Sequence, residues 1–270
     1  MFLTFNDFAR TLHAFTRLQV LNCGDVDWIT LGVLLPPFMT SAGATRRNGK
    51  FLPVLEKLTV RLIGRHGAER LLTSLALSAS LRTLTVFLST IGNLPQMYSS
   101  VNEPVDPATG MSDGLDLSLF PRLSDLIVLD IVPQSLRSAQ RALLSALHEL
   151  LASWSDDPPS RSLTLEIKPT PSPYSTEGGR FYTKQNYISF LEALGRTVEE
   201  ACTHRRGSSI PALHARLEIP QDATTTLEEL EREAGPQFPM TLKAGKLTVE
   251  AHTSGERYPC SPQDASKATG

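Results

Sequence analysis

A chain of 270 residues is long enough to bury a full hydrophobic core, so it does not need disulfides or a metal ion to stabilise its fold. Its formal net charge of −2 argues against a nucleic-acid-binding surface, or a membrane-steering field, that covers the whole protein. Three widely separated cysteines, Cys23, Cys202 and Cys260, lack the spacing of a metal site and indicate a reducing, intracellular compartment.

The sequence also predicts that the protein does not enter a membrane. No run of apolar residues is long enough to cross a bilayer. The first residues, from Met1 to Asp7, lack the basic flank of a signal peptide. We therefore expect a cytoplasmic or nuclear protein.

One spacing recurs along the chain: an apolar residue, two others, an apolar residue, two others, Leu, one other, Val. The two-residue gaps keep side chains on one side of a turn, and the final Leu-x-Val places them on one face of a strand. This arrangement is typical of leucine-rich repeats. Its four clearest copies are Leu12-Phe15-Leu18-Val20, Leu52-Leu55-Leu58-Val60, Ser78-Leu81-Leu84-Val86 and Phe120-Leu123-Leu126-Val128.

Weaker period-two runs predict three further strands, which begin at Leu163, Leu217 and Leu247. The interval between successive anchor leucines ranges from 26 residues (58 to 84) to 54 residues (163 to 217). Such intervals lie at or beyond the upper end for leucine-rich repeats, and they indicate irregular repeats with insertions. Cys23 is predicted to lie in the turn after the first strand, where a small polar group satisfies backbone atoms.

Amphipathic helices are predicted between the strands. Thr4 to Phe15 is expected to bury its phenylalanines, and Thr226 with Glu229 forms a capping box for a helix that ends near Gly235. The other predicted helices are Ala68–Leu77, Leu136–Trp154 and Thr183–Cys202. Strands that alternate with helices predict an α/β fold with parallel strands on one face and helices on the other.

These elements predict one irregular repeat region over residues 1–251, clearest over 4–131, with an insertion at 92–119 and a loop at 168–182. Residues 252–270 are polar and are predicted to form a disordered tail.

No catalytic, cofactor-binding or metal-binding motif is recognisable in the sequence. The six histidines are scattered without an i, i+4 pair, and neither a phosphate-binding loop nor a Gly-x-Ser-x-Gly turn is present. We therefore expect a non-enzymatic protein whose partner is another protein. The alternative is a doubly wound α/β enzyme or ligand-binding domain, which would need a glycine-rich turn after a strand. The turns at 22–25 and 63–67 lack that spacing.

The parity of the predicted strands points to a binding surface. If Leu58 and Val60 face the core, Thr59 and Arg61 face outward. The same rule exposes Gln19 with Leu21, Thr85 with Phe87, Ile127 with Leu129, Thr164 with Glu166, and Thr248 with Glu250. The candidate partner-binding face is therefore Arg61, Phe87, Ile127, Leu129 and Glu166, with an apolar centre flanked by charge. The alternative is that the insertion covers the apolar centre.

The stretch Phe5-Asn6-Asp7-Phe8-Ala9-Arg10-Thr11-Leu12, followed by Phe15, Leu18, Val20 and Asp25-Val26-Asp27-Trp28, resembles repeats in fungal, basidiomycete-type F-box and leucine-rich-repeat proteins. The later repeats are similar in style. The resemblance implies a leucine-rich-repeat solenoid that serves as the substrate-recognition half of a ubiquitin-ligase component.

The F-box itself is not recognisable, since no Leu-Pro-x-Glu-type start is present, so the resemblance assigns adaptor docking to no residue of this chain. A further alternative is that the chain is a truncated gene product without independent function.

Overall fold

A computed structural model describes residues 8, 11–12, 14–23, 52, 54–60, 80–87, 116–133, 137–155, 160–168, 184–203, 210–219 and 225–253. Their seven strands are β1 (Val20–Cys23), β2 (Lys57–Val60), β3 (Thr83–Phe87), β4 (Asp125–Ile131), β5 (Ser162–Ile167), β6 (Ala212–Ile219) and β7 (Leu247–Thr253). The helices are α1 (Arg137–Ser153), α2 (Lys184–Thr203), α3 (Leu227–Ala234) and α4 (Pro239–Lys243), with 3₁₀ turns at Leu117–Leu119 and Gly235–Gln237.

The strands form one open sheet in the order of the chain, from β1 to β7, and every neighbouring pair is parallel. Parallel neighbours require crossover connections, and right-handed crossovers that advance in one direction all lie on the same side of the sheet. The predicted α/β fold with a parallel sheet is therefore confirmed. A doubly wound sheet would show a reversal of strand order, and the described strands show none.

A leucine occupies the same register position in all seven strands. The row consists of Leu21, Leu58, Leu84, Leu126, Leu163, Leu213 and Leu247. A second row, two residues later, consists of Cys23, Val60, Val86, Val128, Leu165, Ala215 and Val249. Both rows pack into a single apolar core that includes residues of the helices. Leu58, Leu84, Leu126, Leu163 and Leu213 are fully buried, which contributes about 1.5–3 kcal/mol for each, so these rows determine which side of the sheet the helices cover.

The two-residue gaps of the repeat form hydrogen-bonded turns before the strands. The amide of Leu55 donates to the carbonyl of Leu52 at 3.1 Å, and the amide of Leu123 donates to that of Phe120 at 3.0 Å. The prediction that this spacing makes a turn is confirmed.

The same backbone connection then recurs between neighbouring repeats. The carbonyl of Glu56 accepts from the amides of Arg82 and Thr83 at 2.9 and 3.0 Å. The carbonyl of Arg82 accepts in turn from the amides of Ser124 and Asp125 at 3.0 and 2.9 Å. Copies that are similar in sequence are therefore also similar in backbone geometry.

Side-chain hydrogen bonds connect α1 to the turn before β4. The indole Nε1 of Trp154 donates to the carbonyl of Leu123 at 2.8 Å, and the Arg161 guanidinium lies 5.3 Å from the centre of the indole ring. The hydroxyl of Ser153 accepts from the amide of Leu117 at 2.9 Å. Because a buried indole N–H needs an acceptor, these contacts determine where the helix ends against the sheet.

The helix α2 also organises the segment between β6 and β7. Its buried Glu199 carboxylate accepts from the amides of Met240 and Thr241 at 2.7 and 3.0 Å. Helix α4 has no side-chain cap of its own, so Glu199 supplies the missing acceptor and a negative charge at its N-terminus. Gly195, one turn earlier in α2, lies against the backbone of Gln237.

The predicted helices Leu136–Trp154 and Thr183–Cys202 agree with α1 and α2 to within one residue at each end. The capping box is also confirmed, because the Thr226 hydroxyl accepts from the amide of Glu229 at 3.2 Å. Helix α4 was not predicted. Its start depends on Glu199, which is distant in the sequence.

The prediction for the first repeat was wrong by three residues. Leu21, predicted to face outward, pairs with Leu58 in the inward row, whereas Val20, predicted to face inward, is 52% exposed. Phe15 was expected to be buried and is 51% exposed. The reason is that the spacing from Phe15 through Leu18 and Leu21 to Cys23 also fits the repeat, and pairing with β2 selects this second register.

Three other predictions differ from the structure. Cys23 is a buried inward residue of β1 and not part of a later turn. In β6 the inward leucine row passes through Leu213 instead of Leu217, a shift that preserves parity. Strand β7 extends to Thr253, two residues beyond the predicted boundary at 251.

The predicted helix at 68–77, the tail after residue 253, and most of the predicted insertion and loop lie outside the described residues. At the end of the insertion, Leu117 is buried in the core.

We expect Gly195→Ala to lower the free energy of unfolding by about 2 kcal/mol or more, a cost typical of forced overpacking. A Cβ at this position would lie 1.9 Å from the Gln237 carbonyl oxygen. Helix propensity alone predicts the opposite sign, a gain of about 1 kcal/mol. Urea unfolding followed by circular dichroism measures the change.

The matched control is Gly235→Ala, because a Cβ there meets nothing within 4 Å and the backbone is already helical. It should be neutral or stabilising by up to about 1 kcal/mol. Equal destabilisation by both substitutions would contradict the packing of α2 against this turn.

Candidate functional site

The outward face of the sheet consists of the strand side chains that alternate with the inward residues and lie on the side away from the core. One register level of this face is uncharged across the sheet, apart from one histidine. It consists of Asn22, Thr59, Thr85, Ile127, Thr164, His214 and Thr248. Threonine hydroxyls both donate and accept hydrogen bonds, so this level, which we call the threonine band, is polar on both sides of Ile127.

The apolar centre of the face is smaller than predicted. Ile127 and Leu129 are half-buried, as expected for outward positions in the middle of a sheet. Phe87 is only 9% exposed and does not belong to the main core cluster, so its prediction as an exposed residue was wrong. Strand parity determines the side of the sheet to which a residue points, and it does not determine what lies over that residue.

The remaining residues of the candidate face are Glu166 and Arg61, and the structure describes only the first. Glu166 lies on the outward face in β5, opposite Arg216 of β6. Arg61 lies outside the described residues. The structure therefore places Phe87, Ile127, Leu129 and Glu166 on three adjacent strands.

A β-bulge interrupts β4 on this face. Val128 pairs with Leu165 and Ile131 pairs with Ile167, so β4 uses three steps where β5 uses two. The extra residue brings Asp130 into the left-handed region at φ 55°, which Asp tolerates better than most residues. The bulge re-aims Asp130 so that its carboxylate reaches a lysine beyond the end of β5.

That lysine, Lys168, joins two carboxylates. Its Nζ lies 2.5 Å from Asp130 Oδ1 and 3.1 Å from Glu166 Oε1. Partial burial disfavours the ammonium charge, but hydrogen bonds and Coulomb attraction from both carboxylates outweigh that effect and raise the pKa of Lys168. Lys168 therefore remains charged and holds the two acidic groups together.

Further charges follow on the last two strands. Arg216 lies between Glu166 and Glu250 in register, and Glu218 pairs with His252. We call the eight residues Asp130, Glu166, Lys168, His214, Arg216, Glu218, Glu250 and His252 the charged end of the outward face.

Both histidines of the charged end lie beside carboxylates, which the sequence analysis missed. His214 Nε2 is 2.9 Å from Glu250 Oε2, and His252 Nε2 is 4.0 Å from Glu218 Oε2. The closer contact is not a directed hydrogen bond, since Nε2 makes none of acceptable geometry. The alternating runs of β6 and β7 carried this signal. To recognise these contacts from the sequence, one would need the correct register between two strands that are distant in sequence.

The open edge of the sheet at β7 is partly covered. Glu231 of α3 accepts from the amide of Ala251 at 2.7 Å. An uncovered edge amide would be free to pair with another strand. This contact therefore occupies one edge amide of β7, the last strand of the described sheet.

The described residues contain no group of three or more His, Cys, Asp or Glu side chains arranged to hold a metal ion. None of the described helices is both long and apolar enough to cross a membrane. Burial raises the pKa of the Cys23 thiol to about 11, so this thiol is a packing residue and a poor nucleophile at neutral pH.

Comparison of the chain with protein-family models, with curated proteins and with solved structures found no match in any of the three.

We expect Lys168→Gln to lower the free energy of unfolding by less than about 1 kcal/mol, because the Lys168 side chain is 36% exposed and solvent screens its ion pairs. Since the folded pKa of Lys168 is raised, this stabilisation is present below the usual value of 10.5. It is lost as the pH rises through the folded pKa. The difference from the unmodified protein should therefore stay constant between about pH 6 and about pH 9 and shrink above 10.5.

Chemical denaturation at a series of pH values measures this difference. Arg196→Gln is the control, since it removes a cation from the exposed pair with Glu192 at 3.0 Å, where a smaller effect is expected. A difference between Lys168→Gln and the unmodified protein that grows above pH 10.5 would contradict the assignment.

We expect Cys23 and Cys202 to resist alkylation in the folded protein, because both are buried and Cys23 is almost entirely protonated at pH 8. The experiment treats a Cys260→Ser variant with iodoacetamide and maps the products by mass spectrometry, with a urea-unfolded sample as control. Rapid alkylation of Cys23 without urea would show that β1 does not pack as described.

Proposed function

We propose that this chain is a leucine-rich-repeat solenoid that acts as a non-enzymatic protein–protein interaction module through the outward face of its sheet. The observation that carries the proposal is the division of the sheet into two faces. The inward rows pack with the helices, whereas the outward face carries a threonine band, half-buried Ile127 and Leu129, and the charged end. Apolar centres with polar surroundings are typical of interaction sites.

Two structural features support the solenoid. Each of the seven strands contributes a leucine at one register position, and the sheet follows chain order. The two-amide connection at Glu56 and Arg82 repeats from one strand pair to the next. A stack of units that contact mainly their neighbours produces both features.

The resemblance to F-box and leucine-rich-repeat proteins suggests a more specific role. In that role the outward face would select substrates for a ubiquitin ligase, and no residue of this chain is assigned to adaptor docking. The described residues offer no specific observation in favour of a doubly wound enzyme, so we propose no second function.

We expect Thr85→Glu with Ile127→Glu to abolish capture of partner proteins and to leave the fold intact, because both residues point outward and neither is fully buried. Phe87 is unsuitable for this test, since its burial would confuse lost binding with unfolding. The measurement is affinity capture from the source cells with quantitative mass spectrometry, together with a thermal melt of each variant.

The control variant, Gln140→Glu with Ala142→Glu, adds the same charge to α1. Proteins that are captured by the unmodified chain and by this control, but not by the outward-face variant, are the expected partners. If all three chains capture the same proteins, the outward face is not the interaction site. The ubiquitin-ligase role further predicts that captured partners accumulate when cullin ligases are inhibited.

A further inference from the structure

Strand β7 is the last strand of the described sheet, and we call its side away from β6 the β7 edge. The strand pairs with β6 over all 7 of its residues, from Leu247 to Thr253, without a register shift. Natural edge strands are often protected by a proline, a lysine or a bulge. Because β7 contains neither of these residues and pairs regularly, its edge is suited to pairing with another strand.

The alternation of backbone groups shows which residues of β7 face this edge. In a parallel pair, one residue directs its N–H and C=O toward its neighbour, and the next residue directs them to the other side. The amide of Leu213 in β6 donates to the carbonyl of Lys246 at 2.8 Å, just before β7 begins. The even-numbered residues of β7 therefore face β6, and the odd-numbered residues face the edge.

Two edge amides remain available for pairing. Glu231 accepts from the amide of Ala251, so that position is occupied. The amides of Leu247 and Val249 also point to the edge, and no described residue accepts a hydrogen bond from either of them. A strand that pairs with β7 can therefore use the N-terminal half of the edge without displacing Glu231.

The apolar side of the β7 edge is also incomplete. In β2 to β6 the leucine of the inward row is buried, whereas Leu247 and Val249 are half-buried and pack against the margin of the core. A further strand at this edge would cover the exposed parts of both side chains and would extend the core. The β7 edge therefore offers hydrogen-bond donors and apolar surface to the same partner.

We propose that the partner at the β7 edge is β7 of a second copy of this chain, paired in antiparallel orientation about a two-fold axis. This inference is independent of the proposed function, because it uses the edge of the sheet and not the outward face. The contact between Glu231 and Ala251 selects the register, since only two amides are available. The register that uses both pairs Leu247 with Val249 of the second copy, and Val249 with Leu247 of the second copy. In an antiparallel ladder, each such pair exchanges two hydrogen bonds.

The same register brings opposite charges together on the outward side. Lys246 lies opposite Glu250 of the second copy, and Thr248 lies opposite its own counterpart on the two-fold axis. All three side chains are exposed. Opposite charges and threonine pairs at facing positions both stabilise antiparallel strands. Lys246 also donates to the carbonyl of Ile210, and Glu250 lies beside Arg216, so the new pairs add to contacts that already exist.

The paired segment ends where the chain turns. Gly245 lies opposite Ala251 of the second copy in this register, and its φ of 65° favours glycine. A Cβ on Gly245 would meet nothing within 4 Å, so open space lies beside it. The Glu231 carboxylate can therefore stay on the Ala251 amide when the second copy is bound. The paired segment is residues 246–250 in both copies.

The position of the axis determines how the two copies are arranged. A two-fold axis through Thr248, perpendicular to the sheet, joins the two sheets into one and makes the contact isologous. The inward rows of both copies then lie on one side, and both outward faces lie on the other. A dimer of this kind presents the outward face twice.

Sedimentation velocity of the full chain at increasing concentration measures the association. We expect a reversible equilibrium between monomer and dimer, which is weak because the paired segment is short. Val249→Pro should raise the dissociation constant about tenfold or more, because it removes an edge N–H and spares the hydrogen bonds to β6. A thermal melt checks that this variant is folded.

Charge reversal tests the register itself. Lys246→Glu alone and Glu250→Lys alone should each weaken the dimer about tenfold, because like charges then face each other at two places. An equimolar mixture of these two variants should form a heterodimer with the affinity of the unmodified chain, because both facing pairs are again opposite in charge. The matched control is Lys57→Glu. Lys57 is exposed and precedes the inward leucine of β2 as Lys246 precedes that of β7, so this control should dimerise normally.

Three outcomes would overturn the proposal. One is a chain that stays monomeric at every concentration. Another is a dimer that resists Val249→Pro and both charge reversals, or a mixture that does not recover, since a different surface or register would then hold the copies together. The third is an assembly that keeps growing with concentration, which a head-to-tail contact produces. The variant Thr85→Glu with Ile127→Glu should still dimerise, so failure of this inference is distinguishable from failure of the proposed function.

Discussion

The common register of the leucine row is the constraint on which the rest of the structure depends. Because Leu58, Leu84 and Leu126 lie side by side, the residues between and after them are also aligned across the sheet. Exposing these leucines to water would cost too much free energy, and a slip of one residue in the register would exchange the two faces of every strand. The register therefore determines both the core and the composition of the outward face.

The inward and outward residues have separate tasks as a result. The inward rows and the helices form the core, and two carboxylates accept hydrogen bonds from backbone amides in the C-terminal part of the described residues. Glu199 caps α4 from within the core, and Glu231 covers an edge amide of β7. Among the described outward residues of the strands only Phe87 is buried, so packing restricts the charge and polarity of the others less.

The sequence predicted the seven strands, the parallel sheet and three of the helices, because period-two and helical patterns are local. It failed where two local solutions were equally good. Both Leu18 and Leu21 fit the anchor position of the first repeat, and only pairing with β2 decides between them. In β6 the choice of Leu217 over Leu213 kept the parity, so Arg216 and Glu218 still point outward.

The candidate site was predicted less completely than the fold, for a physical reason. Ile127, Leu129 and Glu166 follow from the parity of single strands. The histidine–carboxylate contacts require two strands in register, the position of Asp130 requires a bulge with positive φ, and the burial of Phe87 requires tertiary contacts. The bulge and the burial of Phe87 leave no local mark in the sequence, and the histidine–carboxylate contacts leave only the alternating runs of β6 and β7.

Disulfide trapping across β3 and β4 tests the register most directly. In a chain without its three natural cysteines, Thr85→Cys with Ile127→Cys places two thiols at paired positions on the outward face, whereas Thr85→Cys with Asp125→Cys places them two residues out of register. Mild oxidation should cross-link the first pair rapidly, because disulfides need a short separation between Cα atoms, and the second pair slowly or not at all. Faster cross-linking of the second pair would show that the strands are shifted and that the outward face is not the one described.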